Sequence, residues 1–97
     1  MKQAIKVEFN DGVVATYVAA PPEWAKWEEK TGKNIGSVAE TGLGIADLMF
    51  LAYCAMKRES AGKPVMSYEI WREGISEILP ENTPSPKATA PKVSADS

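Results

Sequence analysis

The sequence predicts a small α+β domain over residues 1–79, an N-terminal β-hairpin packed on about three α-helices, followed by a disordered tail over residues 80–97. Three observations carry that expectation: period-two alternation on both sides of an Asp-Gly turn, helical spacing of apolar residues through the middle of the chain, and a change of composition at Pro80.

Residues 3–9 place Ile5, Val7 and Phe9 on one side of a strand and Ala4, Lys6 and Glu8 on the other, so one face should be buried. Asn10-Asp11-Gly12 follows, then Val13–Val18, which reads as a turn joining two strands. The register has two solutions. A two-residue Asp-Gly loop opposes Phe9 to Val14, whereas a three-residue loop with a bulge opposes it to Val13.

Pro21-Pro22 ends the second strand and seats Pro22 in the first turn of a helix, where a missing N–H costs nothing. Glu23 then lies near the positive end of the helix dipole. Trp24 and Trp27 form the apolar edge of this helix, Glu28, Glu29 and Lys30 the wet one, and Gly32 is its C-terminal cap. Lys33–Gly44 reads as a loop anchored by Ile35 and Val38, or as a short helical turn.

A second helix runs from Ile45 to about Ser60, with Leu48, Leu51, Ala52, Ala55 and Met56 on one stripe. Met49, Phe50, Tyr53 and Cys54 fall outside that stripe. A helix apolar on several sides must be central to a core or partly covered by another chain, and with so few other elements available to cover it a homo-oligomer is expected. Ala61-Gly62-Lys63-Pro64 then breaks the chain. Ser67 caps a last helix predicted for Tyr68–Leu79, with Tyr68, Trp71, Ile75, Ile78 and Leu79 on its apolar face and Pro80 as its stop. Beyond it, Pro84, Pro86 and Pro91 are interspersed with small polar residues, and Val93 is the only large aliphatic side chain.

The chemistry on offer is narrow. With no histidine and one cysteine, the 97 residues hold no Ser-His or Cys-His nucleophile pair and no His-containing zinc set. Cys54 lies in an apolar helix, so its thiol should stay un-ionised. Gly42-Leu43-Gly44 lacks the Gly-Lys-Ser/Thr ending and the βαβ setting of a phosphate cradle. Glu28 and Glu29 point about 100° apart on a helix and cannot converge on one ion. No catalytic residue, metal or cofactor is expected.

Eleven basic side chains against thirteen acidic ones, without a block of either sign, argue against a nucleic-acid partner. The apolar stretch Leu43–Met56 contains Asp47 and is shorter than the roughly 20 residues of a bilayer span, so no membrane partner is expected. Met1–Lys6 alternates charged and apolar residues instead of leading into a signal segment, and the lone cysteine suits a reducing cytoplasm. What remains is apolar and aromatic surface. Trp27 and Trp71 are assigned to the core, while Trp24, Met49, Phe50 and Tyr53 are the candidate oligomer or client contacts.

The order of these features resembles the tail assembly chaperones of long-tailed (siphovirus-type) bacteriophages. The resemblance covers roughly residues 5–79: the hairpin with its Asp11-Gly12 turn, and Pro21-Pro22 leading into Trp24-x-x-Trp27-Glu28-x-x-Thr31-Gly32-Lys33. Asp47-Leu48-x-x-Leu51-Ala52-Tyr53-x-Ala55-x-Lys57-Arg58 and Ser67-Tyr68-Glu69-x-Trp71 complete it. It implies a non-enzymatic factor of the host cytoplasm, absent from the finished virion, that binds the tape measure protein and recruits tail tube subunits. It also implies a longer form made by programmed frameshifting, for which codons of Pro86-Lys87 or Pro91-Lys92 would offer a slippery run. The rival readings are a connector or tail completion subunit retained in the particle, and a small regulatory protein such as an antitoxin or inhibitor.

Overall fold

Asp11 and Gly12 close the hairpin and set its register. The Val13 N–H donates to Asp11 Oδ1 at 3.0 Å, Gly12 takes a φ of 89°, and the Phe9 N–H donates to the Val13 carbonyl at 2.8 Å. Phe9 therefore opposes Val13 across a three-residue loop, the second of the two predicted solutions. From there the ladder pairs Val7 with Ala15, Ile5 with Tyr17 and Gln3 with Ala19.

The computed structural model describes residues 2–81. In chain order it contains β1 (Gln3–Phe9), β2 (Val14–Ala19), α1 (Pro21–Thr31), α2 (Gly36–Thr41), α3 (Ile45–Glu59), α4 (Tyr68–Glu73) and β3 (Ile75–Glu81). The three strands form an antiparallel sheet of order β2-β1-β3. The protein is an α+β fold with an N-terminal hairpin, and its helices pack on one side of the sheet.

Helix ends follow from capping chemistry. Glu23 Oε1 accepts the Ala20 N–H at 2.9 Å at the start of α1, and Gly32 ends it in the left-handed region, its N–H donating to the Glu28 carbonyl. One Asp47 carboxylate serves two elements: Oδ2 accepts the Gly44 N–H at 2.9 Å at the start of α3, and Oδ1 accepts the Trp27 indole N–H at 3.0 Å. The Lys33–Gly44 connection contains a helical turn, α2, as one of its two readings anticipated.

The helix predicted for Tyr68–Leu79 is corrected. Only Tyr68–Glu73 is helical, and Ile75–Glu81 is a strand on the free edge of β1. The Asn10 N–H donates to the Gly74 carbonyl at 2.8 Å and Asn10 Nδ2 to the Glu73 carbonyl at 3.1 Å, so the hairpin tip captures the helix end and turns the chain back. Strand pairing then satisfies the backbone of β1 and buries Ile78 opposite Val7, which outweighs one further helical turn. Pro80, read as a helix stop, and Glu81 both lie within β3; the rest of the predicted tail, residues 82–97, lies outside the described residues.

Ile5, Val7, Trp27 and Leu51 are fully buried at the centre of the core. Around them α3 contacts the sheet, α1 and α4, which bury Leu48, Leu51, Ala52, Cys54 and Ala55 and partly cover Met49, Phe50, Tyr53 and Met56. Among the described residues no helix is long and apolar enough to cross a membrane.

Candidate binding groove

The candidate contact residues do not share one surface. Trp24 is corrected outright: it is buried, edge-on to Trp27 at 5.4 Å between ring centres, because α1 turns its whole apolar edge toward α3 and β2. Its indole N–H finds no hydrogen-bond acceptor among the described residues, in contrast to that of Trp27. Trp27 and Trp71 lie in the core as expected.

Met49, Phe50 and Tyr53 are half-buried. Phe50 meets the edge of Tyr68, and Lys30 Nζ lies 5.3 Å from its ring centre. Tyr53 packs between Tyr68 and Trp71 at 5.1 and 5.4 Å and donates its hydroxyl proton to the Met66 carbonyl at 2.6 Å. Met49 borders two shallow clefts, one beside Glu69, Arg72 and Glu73 and one beside Ile45 and β3. Phe50 and Tyr53 thus tie α3 to α4 and to the connection after α3, leaving only part of each ring free.

A larger concavity adjoins Trp71, against which Tyr53 packs. It is an open groove of about 640 Å³ between the hairpin tip and the connection preceding α4. Phe9, Tyr17 and Trp71 form its aromatic lining, and Met56, Val65 and Met66 its aliphatic one. Val13 and Met66 stand on its rim with about half of their surface exposed. The volume lies within the roughly 300–1,000 Å³ of pockets that seat a ligand. Phe9 and Trp71 meet edge to face at 6.2 Å, which fixes the floor.

Asp11 at the hairpin tip is the one acidic side chain of the lining, which holds no basic one. Burial and then the nearby Glu59 carboxylate push the Tyr17 phenol above its ordinary value, so it stays protonated. Burial likewise pushes the Cys54 thiol up, which agrees with the un-ionised state predicted for it. Such a surface can hold an apolar side chain or a short amphipathic segment.

Sequence reasoning reached only part of the groove. Phe9, Met56 and Trp71 have core-facing positions in the sequence pattern, and each reaches the groove from the core's edge. Val65 and Met66 follow directly on the Gly62-Lys63-Pro64 break, where periodicity is silent. Their signal was local: two adjacent apolar residues in a connection that has no strand or helix of its own to bury them.

Among the described residues no group of three or more Cys, Asp or Glu is gathered as a metal site would require. Comparison with known proteins returned no matching family model, no matching curated protein and no matching solved structure.

Proposed function

We propose that this chain is a non-enzymatic tail assembly chaperone of a long-tailed phage. In this reading it acts in the host cytoplasm, holds an apolar segment of the tape measure protein in the groove, and hands the complex to tail tube subunits. The observation that carries the reading is the groove itself, an uncovered concavity lined by Phe9, Tyr17, Trp71, Met56 and Met66. Methionine adapts its shape to varied apolar partners, as a client-holding surface requires. The client's identity comes from the sequence resemblance.

Copurification of the full chain with fragments of the tape measure protein tests it. Met66→Asp adds a charge at an exposed rim position, so the fold should persist while capture weakens by at least about tenfold, the ~1.4 kcal/mol of one lost anchor. Unchanged capture, or the protein present at stoichiometric levels in purified virions, would refute the proposal.

A further inference from the structure

The two edges of the sheet are not equivalent. Hydrogen-bond direction alternates along a strand, and the Phe9 N–H to Val13 bond fixes which residues of β2 face β1. Val13, Ala15, Tyr17 and Ala19 direct their backbone groups at β1. Val14, Thr16 and Val18 direct theirs outward, and no acceptor among the described residues meets their N–H groups.

Natural sheets blunt such edges with proline, charge or a covering element. β3 does so: its register with β1 puts Pro80 at an outward-facing position, where there is no N–H to offer, and the strand carries Glu77 and Glu81. β2 does not. From Val13 to Ala20 it reads Val-Val-Ala-Thr-Tyr-Val-Ala-Ala, with no charge, proline or glycine, and Val14 and Thr16 are exposed.

We infer that the β2 edge is a homodimer interface, at which β2 of a second copy adds antiparallel to give a continuous six-stranded sheet. The residue order is self-complementary about Thr16. A twofold axis through Thr16 opposes Thr16 to its own copy and Val14 to Val18, on the sheet face away from the helices. On the core-facing side it opposes small Ala15 to large Tyr17. Paired threonines and paired β-branched residues are favourable cross-strand neighbours.

Charge permits a second copy at this edge and opposes one at the other. Lys6 pairs with Thr16, so across the axis the two Lys6 residues are three strand spacings apart, about 14 Å and beyond the ~8 Å screening length at physiological salt. Glu8 pairs with Val14, which in turn meets Val18 of the copy, so no carboxylate faces another across the axis. Self-pairing of β3 about Leu79 would instead oppose Glu77 to Glu81 of the copy, on both sides of the axis.

Sedimentation equilibrium of the full chain and amide exchange followed by NMR test this. The wild type should associate with rising concentration. The Val14, Thr16 and Val18 amides should gain protection in step, while those of Ala15, Tyr17 and Ala19 stay protected throughout. Thr16→Lys places two ammonium groups on residues whose Cα atoms lie about 5.5 Å apart at the axis, and should raise the dissociation constant at least about tenfold with an unchanged far-UV spectrum. A monomer at every concentration would overturn the inference, as would a dimer whose Val14, Thr16 and Val18 amides still exchange freely. Protection of that edge only when a tape measure fragment is added would overturn it too, because the edge would then serve a client strand.

Discussion

Leu51 decides whether α3 is the spine of this domain or a surface for another chain. Its side chain is fully buried where α3 meets the sheet and α1. Leu51→Ala removes three carbons there, and substitutions of this kind cost ~2–5 kcal/mol because the surrounding structure collapses only in part. A domain of this size carries about 4–12 kcal/mol in total, from ~0.05–0.15 kcal/mol per residue. A loss near ~3 kcal/mol would therefore lower the melting temperature by about 12–24 °C, at ~4–8 °C per kcal/mol for a domain of this length.

Urea and thermal melts followed by tryptophan fluorescence suit the measurement, since Trp24, Trp27 and Trp71 are all buried and report on the same core. Ile45→Ala is the control on the same helix: that side chain is 64% exposed and its loss should fall within about 0.5 kcal/mol. A Leu51→Ala loss below about 1 kcal/mol, or an Ile45→Ala loss equal to it, would refute the placement of α3 at the centre. Loss of self-association by Leu51→Ala at unchanged stability would do the same.

Glu23 makes a paired, buried carboxylate: Arg58 Nε and Nη2 donate to its two oxygens at 2.7 and 2.8 Å, and the Ala20 N–H adds a third bond. Burial pushes this carboxyl up, but the guanidinium and the Ala20 N–H outweigh it and hold the group below its ordinary value. A folded pKa below the unfolded one stabilises the protein above the unfolded value of about 4.3 and ceases to as pH falls through the folded value. Acid melts should therefore fall more steeply below about pH 4 for wild type than for Glu23→Gln, and parallel curves would contradict the pairing. Gly12→Ala should cost about 1–2 kcal/mol in urea melts, because Gly12 holds φ at 89° while an added Cβ would meet nothing within 4 Å, leaving backbone strain as the sole term. A loss under about 0.5 kcal/mol would show that the loop changes conformation instead.

What was legible in the sequence was local. The hairpin showed in the alternation of Ile5, Val7 and Phe9, and its register turned on backbone conformation at Gly12, which two loop types share at the level of residue names. The span of α3 was legible because Gly44 and Asp47 mark its start and Gly62 lies just past its end. β3 was not, because Tyr68, Trp71, Ile75 and Ile78 have helical spacing and the competing structure depends on β1, some seventy residues earlier. Gly74 was the available local cue, and it ends α4. The Glu23–Arg58 pair was hidden for the same reason: each charge had an adequate local reading at a helix end, and only the packing of α1 on α3 brings them together.

One strand supplies both of the surfaces inferred above, and its period of two keeps them apart. Tyr17 of β2 points into the groove and its backbone bonds to β1, while Val14, Thr16 and Val18 present outward backbone groups and face away from the helices. A copy added at the edge would extend the sheet without entering the groove of its neighbour through those three residues. Client capture and self-association should then separate under substitution. Thr16→Lys should weaken the dimer and leave capture of a tape measure fragment by each monomer intact, and Met66→Asp should do the reverse. A two-site dimer also gains from its own geometry, because a client with two apolar segments would be held by both grooves at a high effective concentration. Loss of capture in Thr16→Lys with one-segment fragments would mean that the edge and the groove are a single site, whereas loss only with two-segment fragments would identify the dimer as the source of avidity.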